Sequence, residues 1–203
     1  MKIIPQEYIE KSWKYSDYRN HVNQLFEQGK TTGDDHSEAM LNYTKLNIAR
    51  MRRLDKTTRL TEETIAQLQN SERKVIWLVI TEAWCGDAAQ IIPVLQKMVE
   101  HNDNIDLRMV LRDENPELMD AFLTNGTRSI PILIVMDAEN REVLTSWGPR
   151  PEEVQSMVME AKAEAQSNPE SSKEIWAEAK KNSQLWYAKD KSKAIQSEIL
   201  DVL

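Results

Sequence analysis

The sequence predicts an α/β domain, with a central mixed sheet flanked by helices and further helices at both ends of the chain. The apolar, β-branched run from Val75 to Ile80 is typical of a central strand that is covered on both faces. From that run onward the pattern reads strand, helix, strand, helix, two strands and helix, an order that indicates a mixed sheet. Only five glycines occur in 203 residues, and abundant Ala, Glu, Lys and Gln favour helices elsewhere.

Composition narrows the class of protein. The chain is 40% apolar and 29% charged, as globular proteins are. Its net charge of -7 should repel nucleic acid and anionic membranes, so neither is expected as a partner. The chain has no apolar run long enough for a membrane span or a secretory signal, and we expect a cytoplasmic location. A single cysteine excludes an internal disulfide and argues for a reducing compartment.

Residues 1–70 are predicted to form a helical N-terminal extension. A first amphipathic helix precedes the turn-rich segment 29–35, since apolar residues recur there at three- and four-residue spacing: Tyr15, Tyr18, Val22, Leu25 and Phe26. Apolar residues between Met40 and Leu54 suggest a second helix. Thr61 caps a short third helix that carries Ile65 and Leu68.

The elements after residue 70 follow from pattern in the same way. A helix is predicted from Gly86 to about His101, a strand over 105–111 and a helix over 115–123. Strands over 130–136 and 142–147 are close enough to form a hairpin, and Pro151 opens a helix. The last region, 166–203, is predicted as a C-terminal helical extension of one or two helices.

The junction between the first strand and its helix reads Trp84-Cys85-Gly86-Asp87-Ala88, which resembles the W-C-G-P-C motif of thioredoxins. Further matches keep the thioredoxin order and spacing: Pro93, the turn Asp113-Glu114-Asn115-Pro116, the loop Gly126-Thr127-Arg128-Ser129-Ile130-Pro131-Ile132-Leu133, and Gly148. The resemblance spans residues 73–162 and implies a thioredoxin-like fold over 71–165. The whole chain is similar to bacterial thioredoxin-like proteins that carry a helical N-terminal extension.

The chain departs from thioredoxins where their dithiol chemistry occurs. Ala88 stands in the position of the second, resolving cysteine, so the dithiol cycle cannot operate. Val79 and Met109 occupy the positions of a buried aspartate and the lysine paired with it. Both members of that ionic pair are replaced together, which avoids leaving one charge stranded.

The thioredoxin-like residues that the chain retains predict a site around a single thiol. Cys85 lies at the first turn of a helix, where unpaired N–H groups favour thiolate, while Asp87 opposes ionisation; we expect a modestly lowered pKa. The resemblance implies a cis bond before Pro131 that places the Ile130 backbone beside Cys85, ready to pair with an extended peptide or glutathione. Cys85 is therefore the predicted catalytic residue, and the predicted substrate-binding residues are Trp84, Gly86, Asp87, Ile130 and Pro131.

Three functions remain open. The first is monothiol thiol–disulfide exchange through Cys85 by a mixed disulfide, an oxidoreductase without its resolving cysteine, acting on a protein disulfide or a low-molecular-weight thiol. The alternative is a redox-inactive, thioredoxin-fold protein-binding module. The third, an iron–sulfur ligand like that of monothiol glutaredoxins, rests only on Cys85-Gly86. No cofactor or metal is otherwise expected, because His21, His36 and His101 lack a ligand spacing.

One basic cluster runs against the acidic composition: Arg50, Arg52, Arg53, Lys56 and Arg59. Its first interpretation is a salt-bridged face. In the second, one of these arginines folds toward the active site and binds a carboxylate of a glutathione-like thiol. The apolar stripes of the two extensions fit packing on the core or pairing between subunits, so the oligomeric state is left open.

Overall fold

The computed structural model describes residues 2–203 and is built on a four-stranded mixed sheet. Its strands are β1 (Val75–Thr81), β2 (Ile105–Leu111), β3 (Ile132–Asp137) and β4 (Val143–Trp147). They lie in the order β2-β1-β3-β4, with β1 parallel to β2 and antiparallel to β3, and with β3 and β4 forming the hairpin. The predicted α/β class, mixed sheet and hairpin are confirmed.

Strand β1 lies between β2 and β3. Each of its seven residues is buried, as expected of a strand that is covered on both faces of the sheet. Its register places Val79 directly beside Met109 on β2. Both side chains are fully buried. The two positions at which thioredoxins carry an ionic pair are therefore neighbours here, joined by apolar packing instead of charge.

Nine α-helices occur in the described residues. The four before the sheet are α1 (Gln6–Glu10), α2 (Tyr15–Glu27), α3 (Glu38–Thr57) and α4 (Glu62–Asn70). Those within and after it are α5 (Ala88–Val99), α6 (Pro116–Asp120), α7 (Glu152–Ser167), α8 (Ser172–Asp190) and α9 (Lys193–Leu200). Thr61 accepts a hydrogen bond from the Thr64 amide, which confirms the predicted cap.

Helices α6 and α1 differ from the prediction, whereas the two C-terminal helices agree with the predicted one or two. Helix α6 ends at Asp120 rather than Leu123, and α1 has too few residues for a periodic pattern to reveal it. The C-terminal extension forms two helices because Lys191 and Ser192 adopt left-handed backbone conformations, at φ 55° and 66°, and so end α8.

The N-terminal segment pairs with both edges of the sheet. Trp13 exchanges two backbone hydrogen bonds with Met109 on β2, at 2.8 and 2.9 Å. At the other edge, the Val143 amide donates to Lys2 at 2.8 Å and the Ile4 amide donates to Arg141 at 3.0 Å. These contacts cover backbone groups that an edge strand otherwise leaves open to other chains.

The added helices pack on opposite sides of the motif. Helix α3 packs on α5, which follows the motif directly, whereas α8 packs along α7. Helix α9 contacts α4 and α5 and buries Ile195 and Ile199. Within residues 2–203, no helix is both long and apolar enough to cross a bilayer.

Candidate functional site

Cys85 lies in the turn between β1 and α5 and is shielded from solvent. Its residue is only 8% exposed. The thiol donates to the Ile130 carbonyl oxygen at 3.3 Å, and the Ala88 amide donates to Sγ at 3.5 Å. The Ile130–Pro131 bond is cis, as the resemblance implies, and both residues are buried. The structure thus brings Cys85, Ala88, Ile130 and Pro131 together, but the chain's own thiol occupies the carbonyl of Ile130.

The prediction of a lowered pKa for Cys85 is wrong. Burial first, and the nearby Asp87 carboxylate second, raise the pKa of the Cys85 thiol to about 12. The Ala88 amide and Arg150 act in the opposite direction but do not compensate. A helix N-terminus favours a thiolate, but this one is covered by protein, and desolvation is the larger effect.

Asp87 anchors the turn instead of capping the helix. It makes no side-chain hydrogen bond to the first amides of α5. Its Oδ2 accepts from Arg150 Nε at 2.6 Å and its Oδ1 accepts from the Tyr187 hydroxyl at 3.2 Å. Asp87 therefore ties α8 and the segment after β4 to the motif.

Helix α8 lies across the motif. Gln90, in the first turn of α5, donates to Gln184 Oε1 at 2.7 Å. A Cβ placed on Gly86 would lie 3.6 Å from Gln184 Nε2 and 3.5 Å from Arg50 Nη1. Gly86 is thus contacted from two sides, by α8 and by α3.

Trp84, a predicted substrate-binding residue, lies beneath a guanidinium group. The Arg112 guanidinium lies 4.8 Å from the centre of its ring, in a cation–π arrangement. Its indole nitrogen lies 3.7 Å from the position that a Cβ on Gly33 would take. The ring is half-buried between the turn after β2 and the loop before α3.

The N-terminal extension holds the residue before Trp84 through its backbone. Asn47 donates to the Ala83 carbonyl at 2.8 Å, and the Ala83 amide donates to Thr32 Oγ1 at 2.8 Å. Both side chains are buried. These bonds satisfy the amide and the carbonyl of Ala83, which would otherwise be buried without partners.

Sequence reasoning missed a buried carboxylic acid, Glu82, three residues before Cys85. Its side chain is 1% exposed, and its Oε1 accepts from the Asp113 amide at 3.0 Å. Nearby Arg112 pairs with Asp113 rather than with Glu82. Burial raises the pKa of Glu82 to about 7. The signal available in the sequence was the position of Glu82, two residues after the continuous apolar run that ends at Ile80.

A glycine is required at position 148 because the backbone there lies very close to the backbone of Pro131. Its φ is 128°, a conformation that side chains disfavour. A Cβ at this position would come within 2.4 Å of the Pro131 carbonyl oxygen. The glycine matched to thioredoxins therefore allows the end of β4 to lie against the proline loop.

The described residues do not bring a metal-binding set together. No group of three His, Cys, Asp or Glu side chains converges within residues 2–203. His21 instead stacks on Trp13, with ring centres 4.5 Å apart, and His36 accepts from the Thr31 amide. An iron–sulfur role for Cys85 gains no support from its surroundings.

Comparison with known proteins assigns the family. The family model described as Thioredoxin matches residues 33–165, and so begins within the predicted N-terminal extension. A protein of unknown function from Pseudomonas aeruginosa, known from its crystal structure, is 17% identical, with a TM-score of 0.54 over 94% of this chain and 96% of that chain. An HIV epitope scaffold is 20% identical, with a TM-score of 0.48 over 70% of this chain and 81% of that chain. No curated protein matches. The family match covers well over half of the chain, which therefore belongs to the thioredoxin family.

Proposed function

We propose that this chain is a redox-inactive, thioredoxin-fold module that binds a protein partner. The observation that carries the proposal is the enclosure of Cys85, whose thiol is 8% exposed and bonded to the Ile130 carbonyl. In the family, the backbone at that position pairs with the incoming substrate. The chain's own thiol takes up that carbonyl and α8 bonds to the neighbouring Asp87 and Gln90, so the fold is retained while the pairing group is occupied.

The chemistry of the thiol agrees with this proposal. With a pKa of about 12, only about one Cys85 in 10⁵ is a thiolate at neutral pH. Thiol–disulfide exchange requires the thiolate and access to it. Cys85 meets neither requirement in this conformation, and it acts as a small apolar residue that fills the turn.

The partner surface is a groove between α7 and α8. It encloses about 600 Å³ and has an apolar floor formed by Met157, Ala161, Ile175, Leu185 and Trp186. Glutamates form most of its charged rim: Glu160, Glu164, Glu174 and Glu178. Apolar floors of this kind take the apolar face of an amphipathic helix, and the acidic rim selects one with basic flanks. A basic amphipathic helix of another protein is therefore the proposed occupant.

The closed thiol is tested by alkylation. Native protein is incubated with iodoacetamide across neutral and alkaline pH, and the mass is compared with that of protein treated in denaturant. We expect the adduct at Cys85 only after denaturation. Rapid modification of the native protein at neutral pH would overturn the redox-inactive assignment.

The groove is tested with a labelled, helical Leu/Lys peptide and fluorescence anisotropy, with a Leu/Glu peptide of the same length for comparison. Reversing two rim charges, Glu174→Lys with Glu178→Lys, should weaken binding of the basic peptide about tenfold. The matched control reverses two exposed charges outside the groove, Glu153→Lys with Glu170→Lys, and should change binding little. Equal weakening by both pairs would mean that net charge, not the groove, attracts the peptide.

A second candidate is monothiol exchange, favoured by the cis Ile130–Pro131 bond beside the thiol and by the Ala88 amide that points at Sγ. Here the Cys85 thiolate would attack a disulfide, form a mixed disulfide and release one thiolate. A second thiol from solution would then displace the protein sulfur. An adduct of native protein with oxidised glutathione, lost in Cys85→Ser, would favour this candidate over the binding module.

A further inference from the structure

A second cavity lies on the other side of α8, next to Gly86. It encloses about 210 Å³. The backbone of the motif forms one wall, and Ser183 and Gln184 of α8 form another. Val158 and Trp176 line its apolar side, and Trp176 is 40% exposed. The cavity exists only because the C-terminal extension crosses the thioredoxin-like core.

Positive charge collects around this cavity in a chain whose net charge is -7. Arg150 and Lys180 line it, and Arg50 reaches Gly86 from the α3 side. Asp87 is the one acid among the residues that line it. Both of its oxygens are already engaged, by Arg150 and by Tyr187.

Arg50 forms no direct ion pair in the part of the chain that the structure describes. Its Nη1 donates to Asn47 Oδ1 at 2.8 Å, and no carboxylate lies within salt-bridge distance. The side chain is half-buried, and burial together with repulsion from Arg53 lowers the pKa of its guanidinium. The Asp87 carboxylate attracts this guanidinium from beyond salt-bridge distance, but both of its oxygens are engaged by Arg150 and Tyr187, so a further anion placed beside Arg50 would be stabilised.

We propose that this cavity binds a small anion, the carboxylate or phosphate group of a small molecule whose apolar part lies against Trp176. Arg50, Lys180 and the free amide of Gln184 supply donors for the anionic group, and guanidinium groups suit both acids because they bond in a forked geometry. At about 30 Å³ per water, the volume holds about seven water-sized groups. The ligand is thus a small acid, not a nucleotide or a peptide.

Binding would join the two extensions. The anion lies between α3, through Arg50, and α8, through Lys180 and Gln184. A ligand that binds only this arrangement raises the stability of the native state in proportion to its saturation. It would also hold α8 against Gly86. The proposal concerns a small-molecule site and does not depend on the protein-binding groove.

The test uses inorganic phosphate and acetate as separate probes, at constant ionic strength set with sodium chloride. Saturable quenching of tryptophan fluorescence and a rise in Tm are expected with at least one of them, and the tighter probe identifies the anionic group. Trp176→Phe should remove most of the fluorescence change and keep the Tm rise. No saturable response to either probe would overturn the proposal.

Matched variants locate the site. Arg50→Gln and Lys180→Gln should each weaken probe binding about tenfold, because each removes a charged donor. Lys180 is exposed, so its replacement tests the site even where Arg50→Gln disturbs folding. Arg52→Gln, another exposed arginine on α3, is the control and should bind as the parent does. Equal affinity of all three variants would show non-specific charge screening. None of these variants alters the α7–α8 groove, so peptide binding stays as in the parent.

Discussion

Helices α3 and α8 have nearly the same length and approach the same motif, but they hold it in different ways. Helix α3 packs on α5 and reaches the motif backbone with a buried side chain, Asn47. Helix α8 packs along α7 and reaches the motif through polar side-chain contacts from Gln184 and Tyr187. One helix is part of the core, whereas the other is a cover.

This difference distinguishes contacts that stabilise the folded protein from contacts that limit access of reagents to Cys85. Contacts on the α3 side involve buried backbone groups, whose loss is costly because they find no other partner. Contacts on the α8 side are hydrogen bonds between side chains, each of which contributes only about 1 kcal/mol. We therefore expect changes on the α3 side to alter the free energy of unfolding, and changes on the α8 side to alter the reactivity of Cys85.

The largest expected effect lies on the α3 side, at Glu82. The pKa of Glu82 is raised to about 7 from its ordinary 4.5, so between these values the native state binds more protons than the unfolded state. Stability from this group is fully present below about pH 4.5 and is lost as pH rises through 7. At 1.36 kcal/mol per unit, the loss is about 3 kcal/mol.

Urea unfolding at several pH values measures this effect. The free energy of unfolding of Glu82→Gln should fall less than that of the parent between pH 5 and pH 8, because the amide does not ionise. Glu72→Gln, an exposed residue before β1, is the control and should follow the parent. If Glu82→Gln also follows the parent, the carboxyl is solvated and the motif is less tightly enclosed on this side.

Much of the fold could be predicted because its signals are local. The apolar run of β1 and the cap at Thr61 each lie within a short stretch of sequence. The backbone pairing of Trp13 with Met109 could not be predicted, since a single bridge leaves no periodic pattern.

The sequence predicted which residues surround Cys85, but it did not predict the burial or the pKa of the thiol. The residues around Cys85 were identified from the motif, yet its pKa depends on what covers the thiol. The neighbours of the thiol, Gln90 and Asp87, bond to Gln184 and Tyr187, about 100 positions away, which belong to no apolar stripe. The burial of Glu82 could not be predicted either, because the loop before α3 and the turn after β2, which cover it, are distant from it in the sequence.

A smaller effect is expected at Asn47, the buried side chain by which α3 holds the motif. Asn47→Ala leaves the Ala83 carbonyl without its donor and should lower the free energy of unfolding by about 2 kcal/mol. Asn42→Ala, an exposed change on the same helix, is the control. Alkylation of Cys85 in the folded protein should stay slow in both variants. Fast alkylation in Asn47→Ala would show that α3 is as much a cover as α8.

The smallest change in the free energy of unfolding is expected at Tyr187. The main effect there should be a faster reaction of Cys85 with an alkylating reagent. Tyr187→Phe removes one hydrogen bond to Asp87 and keeps the buried ring, which should cost about 1 kcal/mol. Since α8 then has one contact fewer with the motif, the native protein should react with iodoacetamide several times faster at alkaline pH. Tyr43→Phe keeps the ring beneath Lys180 and serves as the control. An unchanged rate in Tyr187→Phe would mean that Cys85 is enclosed by the core itself, and α8 would lose its role as the cover.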